Sequence, residues 1–153
     1  MWNEWKRLRD LPRARKALLA EALAALALAR LAMACLPFRR IAAWLGTPGA
    51  ESPAEASPSE TRMGEEIGWA VGVLGRRVPW DGRCLAQALA ATAMLRRRGL
   101  EGTVSFGARP GLGTGQESAF DAHAWLRVGS SVVTGGAGHQ TFQVFTTFAR
   151  RRT

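Results

Sequence analysis

Apolar residues recur at helical spacing through the N-terminal third of the chain. They follow one another every three or four positions over Leu18–Met33, in a segment dominated by Ala, Leu and Arg, which predicts an amphipathic α-helix. Pro12 should start this helix at its first turn, and Pro37 should end it. A second, short helix over Arg39–Leu45 should stop at Gly46. An apolar face this broad predicts burial, either against the rest of the chain or against a partner protein.

Two further helices are predicted in the middle of the chain. The first has a strong start signal, with Ser57 as N-cap, Pro58 at the first helical position and Glu60 three residues after the cap; it should run to about Leu74. The second should run over Cys84–Arg98, after a tight connection, with basic residues in its last turn where the helix dipole favours them.

The hydrophobic period changes from 3.6 to two after these helices. Alternating residues predict strands at Thr103–Gly107, Ala122–Val128, Ser131–Thr134 and Phe142–Phe148. Gly129-Ser130 is the expected tight turn between the second and third strands. Helices followed by an antiparallel sheet predict an α+β fold.

Composition divides the 153 residues into three segments. Residues 1–46 form a helical N-terminal segment. Residues 47–57, rich in Pro, Gly, Ser and Ala, are typical of a mobile linker. Residues 58–153 form the core domain, and the Gly-rich stretch 110–118 within it should be a flexible rim.

The chain is strongly basic, with a net charge of +9 and a pI of about 11.4. This charge is compatible with an acidic partner, which would be nucleic acid, an anionic membrane surface or an acidic peptide. A solvated arginine-rich surface without a binding role is the interpretation we favour. Its arginine runs lack interleaved aromatic residues, which speaks against a stacking surface for nucleic acid. The run Arg96–Arg98 is also explained by its place at a helix end. No cofactor is expected, and the two cysteines do not form a zinc-binding pattern.

The apolar run Ala17–Phe38 must be weighed as a membrane segment. Glu21 and Arg30 interrupt it and leave charge-free pieces of only eight residues, far below the roughly 20 that a spanning helix needs. We therefore expect no stable membrane insertion and a cytoplasmic protein. Cys35 within this run behaves as a small hydrophobic residue.

Cys84 and His123 are the candidate catalytic residues. Cys84 begins a helix, where backbone N–H groups favour a thiolate and a developing oxyanion. A histidine on a later strand can take up the thiol proton, and His123 lies in a predicted strand, whereas His139 lies in a Gly-rich loop that would fix it poorly. A buried cysteine and a hydrogen-bonded core histidine are the alternative interpretation.

Several short motifs resemble one family, the stand-alone leader peptidases of lasso-peptide biosynthesis, which are transglutaminase-like, microcin-processing cysteine proteases. The motifs are Cys84-Leu85-Ala86-Gln87-Ala88-Leu89, Ala122-His123-Ala124-Trp125-Leu126, Leu95-Arg96-Arg97-Arg98-Gly99 and Leu36-Pro37-Phe38-Arg39-Arg40. The resemblance implies a transglutaminase-like, papain-like core in which a nucleophile helix packs on an antiparallel sheet. It also implies that Cys84 attacks the bond between leader and core peptide, and that His123 acts as base and then as acid.

The resemblance further implies three partners: the precursor peptide, a separate leader-recognition protein and the lasso cyclase. The family usually places an Asp about twelve residues after the histidine, to orient it; here Gly135 occupies that position. With a turn at Gly129-Ser130, Gly135 should lie opposite Ala124. Asp121, Thr134, Gln143 or water remain as possible substitutes. A non-catalytic adaptor that binds the precursor or the cyclase is the alternative function.

Overall fold

A computed structural model describes residues 2–78, 83–111 and 119–150. Its helices are α1 (Trp2–Arg9), α2 (Arg13–Cys35), α3 (Phe38–Leu45), α4 (Pro58–Gly75) and α5 (Cys84–Arg97). Its strands are β1 (Thr47–Pro48), β2 (Thr103–Pro110), β3 (Phe120–Val128), β4 (Ser131–Thr134) and β5 (Gln143–Ala149). Parts of the predicted tight connection before Cys84 and of the Gly-rich rim, residues 79–82 and 112–118, lie outside the described residues.

The strands form one antiparallel sheet in the order β1-β5-β2-β3-β4. Helix α5 packs on β3, α4 packs on β4, and α2 lies across α4 and α5. The predicted α+β fold is confirmed. The buried face of α2 interlocks with α4 and α5 through residues at helical spacing, namely Leu18, Ala22, Leu26 and Ala29.

The start of α4 follows the predicted capping box. Ser57 Oγ accepts a hydrogen bond from the backbone N–H of Glu60, and the Glu60 carboxylate accepts one from the backbone N–H of Ser57. Because the backbone N–H groups of both residues have acceptors, this pair of hydrogen bonds fixes where α4 begins.

The segment predicted as a mobile linker contacts the sheet. Thr47 and Pro48 pair with β5 as an edge strand, and the backbone N–H of Ser52 donates to Thr103 Oγ1 at 2.8 Å. Ser52 itself is buried. These contacts join residues 47–52 to the core sheet, and the division of the chain at 47–57 stays a prediction.

The arginine triplet at the end of α5 ties three helices together. Arg96 donates to the last backbone carbonyls of α3 and stacks on the Trp44 ring. Arg98 donates two hydrogen bonds to the Glu21 carboxylate on α2, and Arg97 pairs with the same group at 3.1 Å. All three arginines therefore have structural partners.

We expect Glu21→Gln to destabilise the protein by about 1 kcal/mol at pH 7, because it breaks a partly buried, bidentate ion pair. Hydrogen bonds from Arg98 hold the pKa of the Glu21 carboxyl below its ordinary value. The stabilisation is therefore fully present above the unfolded pKa of about 4.3 and is lost as the pH falls through the lower folded pKa. Urea unfolding from pH 7 to pH 3 measures this difference. Glu55→Gln, at an exposed position, is the control and should change nothing.

By length and mean hydropathy alone, α2 could span a membrane, since its 23 residues include a window of mean hydropathy 1.9. The lack of stable membrane insertion, which we expect because Glu21 and Arg30 interrupt the helix, stays a prediction. Only 22% of that window is buried within the protein. The predicted interior packing of α2 therefore accounts for one of its faces and leaves another face exposed.

Candidate active site

Cys84 is the first residue of α5 and is half-buried. The preceding residue, Arg83, contributes no side-chain hydrogen bond to cap the helix, in contrast to the capping box of α4. The first N–H groups of a helix have no acceptor within the helix and carry its positive end. The start of α5 thus offers donors to a thiolate or to an oxyanion at Cys84.

His123 lies on β3, the strand on which α5 packs, so the elements that carry the two candidate residues are neighbours. Neither ring nitrogen of His123 hydrogen-bonds the Cys84 thiol in the described part of the chain; the ring instead bonds to the backbone of Gly135. The catalytic pairing of Cys84 with His123 stays a prediction. Both cysteines of the chain, Cys84 and the exposed Cys35, are free thiols.

The hydrogen bond to Gly135 fixes the tautomer of His123. Nε2 lies 2.7 Å from the Gly135 carbonyl oxygen. A carbonyl oxygen only accepts, so Nε2 carries the proton. In the neutral ring, Nδ1 is then unprotonated and has a lone pair with which it can accept a proton.

Gly135 reaches this position through an irregularity between β3 and β4. The register is Val128 opposite Ser131 and Arg127 opposite Val132, but Leu126 pairs with Thr134. Val133 is therefore an extra residue on β4, a β-bulge. The prediction that Gly135 lies opposite Ala124 assumes an uninterrupted hairpin register, which would pair Leu126 with Val133; the bulge puts Thr134 in that place instead.

None of the three side chains considered as substitutes hydrogen-bonds the imidazole in the described residues. Asp121 pairs with Arg109 at 3.3 Å, Gln143 is exposed, and the buried Thr134 hydroxyl has no partner among described atoms. The position of the expected Asp is instead filled by a backbone carbonyl, that of Gly135. Every residue has a backbone carbonyl, so the amino-acid sequence does not mark this one as the orienting group.

Gly135 requires glycine for both conformation and space. Its φ is +67°, and a Cβ there would lie 2.6 Å from the Ala124 carbonyl oxygen and 3.2 Å from His123 Nε2. We expect Gly135→Ala to cost about 2–3 kcal/mol of unfolding free energy, from the left-handed backbone and the collision. Gly138 has a φ of +72° but open space around its Cβ. Gly138→Ala should therefore cost only about 1 kcal/mol, and equal costs in denaturant unfolding would contradict this account.

Aromatic rings hold the imidazole from its sides. Trp125 stacks on His123 at a centroid distance of 5.7 Å, and Phe142 packs at 4.9 Å. Gly107, directly opposite His123 on β2, makes room for these rings, because a Cβ there would meet Trp125 and Phe142. The guanidinium carbon of Arg109 lies 4.3 Å from the centre of the Phe142 ring. The imidazole is thus packed against both rings, which limits the access of water to its hydrogen bond with Gly135.

His139 is better fixed than the sequence predicts. It begins a single 3-10 turn, His139–Thr141, and its Nδ1 lies 2.7 Å from the Gly136 carbonyl oxygen. Its ring contacts Trp125 at 5.6 Å. Nδ1 must therefore be its protonated nitrogen, and His139 supports the ring cluster around His123.

Metal ligation has no candidate among residues 2–78, 83–111 and 119–150, where no group of three His, Cys, Asp or Glu side chains is arranged around a common point. The chemistry available to the described residues is that of a thiol, an imidazole and helix N–H groups. These are the components of covalent acyl transfer.

Comparison with known proteins gives one family. The sequence model of the transglutaminase-like superfamily matches residues 25–147, from the middle of α2 to β5, which includes Cys84, His123 and Gly135. No curated protein and no solved structure matches the chain. The superfamily commonly contains cysteine proteases, and the match covers most of the sequence. The chain therefore belongs to the transglutaminase-like superfamily.

Proposed function

We propose that this protein is a cysteine peptidase that removes the leader from a ribosomally made lasso-peptide precursor. The observation that carries the peptidase chemistry is the single tautomer of His123, which the Gly135 carbonyl fixes. His123 lies on β3, the strand that packs against α5, and Cys84 is the first residue of α5. The motif resemblance supports a lasso-peptide precursor as the substrate. A base with an unprotonated Nδ1, on a strand that packs against the helix whose first residue is a cysteine, fits acyl transfer by a Cys–His pair.

In the proposed reaction, Cys84 Sγ attacks the carbonyl carbon of the bond between leader and core peptide, and its proton passes to Nδ1 of His123. The N–H groups at the start of α5 stabilise the oxyanion of the tetrahedral intermediate. The C–N bond then breaks. His123 returns the proton to the leaving amine of the core peptide, while the leader stays attached to Cys84 as a thioester.

A water molecule completes the cycle. His123 takes a proton from this water, the resulting hydroxide attacks the thioester carbonyl, and Cys84 leaves as the thiolate, which is reprotonated. The leader is released as a free carboxylic acid. Throughout, Nε2–H stays bonded to Gly135, so the ring keeps its orientation when it is charged.

The Gly135 carbonyl gives His123 a dipole where an Asp would give a full negative charge. Orientation and tautomer are preserved, but the imidazolium form receives less electrostatic stabilisation. Orienting residues of catalytic triads contribute less than nucleophiles do. We therefore expect the same reaction at a lower rate than with a carboxylate partner.

The proposal includes a cytoplasmic location and a multi-protein pathway. The N-terminal segment that the structure describes is helical, without the strands that a leader-recognition module needs. A separate recognition protein would therefore present the precursor, and the lasso cyclase would close the ring after cleavage.

The test is a reconstituted cleavage reaction that contains this protein, the precursor peptide encoded beside its gene and the recognition protein of the same gene cluster. Mass spectrometry should show the free leader and the core peptide, with faster release when the recognition protein is present. An intact precursor after long incubation would contradict the peptidase proposal. A tight complex with that intact precursor would instead support a non-catalytic adaptor.

A further inference from the structure

A second concave surface lies away from Cys84 and His123, between α2, α3 and α5. It encloses a cavity of about 510 Å³, within the range of ligand-binding clefts. Its walls are almost entirely apolar and are formed by Ala24, Ala25, Leu28, Ala29, Ala32, Leu36, Ile41, Trp44, Leu89, Ala93 and Met94, with Glu21, Arg40 and Arg97 at its rim. We refer to this surface as the α2–α5 groove.

Large apolar side chains of the groove face solvent. Leu28 is 66% exposed, and Leu36 and Trp44 are also exposed. A contiguous apolar surface of this kind, rimmed by charged groups, is typical of a site where a partner binds. It also explains why most of the apolar window of α2 remains unburied.

The rim of the groove favours a negatively charged partner. The Arg40 side chain is exposed and makes no hydrogen bond or ion pair in the described part of the chain. The negative charge at the rim, on Glu21, is already matched by Arg98 and Arg97. The remaining charge at the rim is therefore positive, in keeping with the net charge of +9 of the whole chain, and it is complementary to an acidic ligand.

The shape of the groove favours a helix as the ligand. Its walls come from three helices, and a groove between helices accepts an amphipathic helix whose apolar side chains recur every three or four residues. A flat lipid surface would leave the cavity unfilled and would have to desolvate the Glu21 ion pairs at its rim.

We propose that the α2–α5 groove is a docking site for an acidic amphipathic helix of a partner polypeptide. The apolar face of that helix enters the groove at Leu28 and Trp44, and its flanking carboxylates meet Arg40. The groove lies on the part of α5 from Leu89 onward, five or more residues after Cys84, so docking there does not depend on peptidase activity.

The probe is a fluorescein-labelled synthetic peptide of about 18 residues, or five helical turns. It carries Leu at helical i, i+3, i+4, i+7 spacing and Glu at the flanking positions. Its binding to the full-length protein is measured by fluorescence anisotropy. We expect saturable binding that weakens with added salt, and no saturable binding by a peptide with Lys in place of every Glu.

Matched variants locate the site. Leu28→Asp places a charge inside the groove and should weaken binding at least about tenfold, the effect of losing one buried Leu contact. Leu23→Asp is the control, since Leu23 is exposed on the same helix but does not line the groove. Arg40→Glu should weaken binding about threefold to tenfold, whereas Arg39→Glu, outside the groove, should leave it unchanged.

Several results would overturn the proposal. Binding that Leu28→Asp and Leu23→Asp reduce equally would mean that the peptide does not use the groove. Flotation with phosphatidylglycerol vesicles that Leu28→Asp abolishes, with no peptide binding, would make the surface a membrane contact. A dimer in sedimentation experiments that Leu28→Asp dissociates would make it a self-association surface. Retained peptide binding by Cys84→Ala keeps this test separate from that of the peptidase.

Discussion

The Cys84→Ala variant should release no leader in the reconstituted reaction, with a loss in rate of at least about 1,000-fold. Loss of a nucleophile removes the covalent pathway altogether, and only the contribution of binding and of oxyanion donors to rate is left. The start of α5 should persist, because Ala is the best helix former and Cys84 is only half-buried. The variant should therefore fold and still bind the precursor.

Cys35→Ala is the matched control for this experiment. Cys35 is the other free thiol of the chain and is exposed at the end of α2. Among the described residues, its side chain makes no hydrogen bond to β3 or to the start of α5. Its replacement should leave cleavage unchanged. Leader release by Cys84→Ala at the rate of the unmodified protein would exclude Cys84 as the nucleophile.

Gly68→Ala should destabilise the protein by at least about 3 kcal/mol, whereas Gly72→Ala, one turn later on α4, should be neutral or stabilising by up to about 1 kcal/mol. A Cβ at Gly68 would collide with the Val133 carbonyl oxygen, a backbone atom that cannot rotate away. A Cβ at Gly72 would meet only the end of the Arg76 side chain, at 3.7 Å, and Ala there gains helix propensity.

A Cβ at position 68 should also disturb the candidate active site. Gly68 and Gly64 let α4 approach β4 closely at Val133, and Val133 is the bulged residue that sets the position of Gly135. Any shift of β4 away from α4 displaces the carbonyl that orients His123. Leader cleavage by Gly68→Ala should thus fall under conditions where the variant is still folded.

Urea unfolding of the two variants beside the unmodified protein measures the stability difference, and cleavage at low denaturant measures the second effect. Equal stabilities of Gly68→Ala and Gly72→Ala would mean that α4 does not lie against β4 as described. A destabilised Gly68→Ala variant with full activity would separate the packing of α4 from the orientation of His123.

The helices could be predicted from sequence because their signals are local. Ser57 and Glu60 form the capping box within four residues, with Pro58 at the first helical position between them, and the limits predicted for α4 and α5 agree with the structure to within a residue or two. The strands β3 and β4 followed from alternation in the same way. Such signals depend on the neighbouring residues only, so a single sequence contains them in full.

The features that could not be predicted depend on contacts between distant segments. The bulge at Val133 has no local sequence signal, and it arises where β4 passes the glycines of α4. The two-residue strand β1 forms only because β5 is there to pair with it. The orienting group of His123 is a backbone carbonyl, which every residue has, so no choice of amino acid marks it except the glycine that its φ of +67° favours.

We expect His123 to activate Cys84, and the rate at which iodoacetamide alkylates Cys84 is the measurement that checks this expectation. Peptide mass spectrometry separates Cys84 from the exposed Cys35, which serves as an internal reference in the same molecule. Accessibility alone would make the half-buried Cys84 the slower thiol. Faster reaction of Cys84 at neutral pH would therefore report a thiol that its neighbours activate.

We predict that Cys84 is alkylated at least about tenfold faster than Cys35 in the unmodified protein. His123→Gln should remove this excess without changing the rate at Cys35, and His139→Gln, at the neighbouring histidine, should retain most of it. Alkylation of Cys84 that is no faster than that of Cys35, and is unaffected by His123→Gln, would contradict the account.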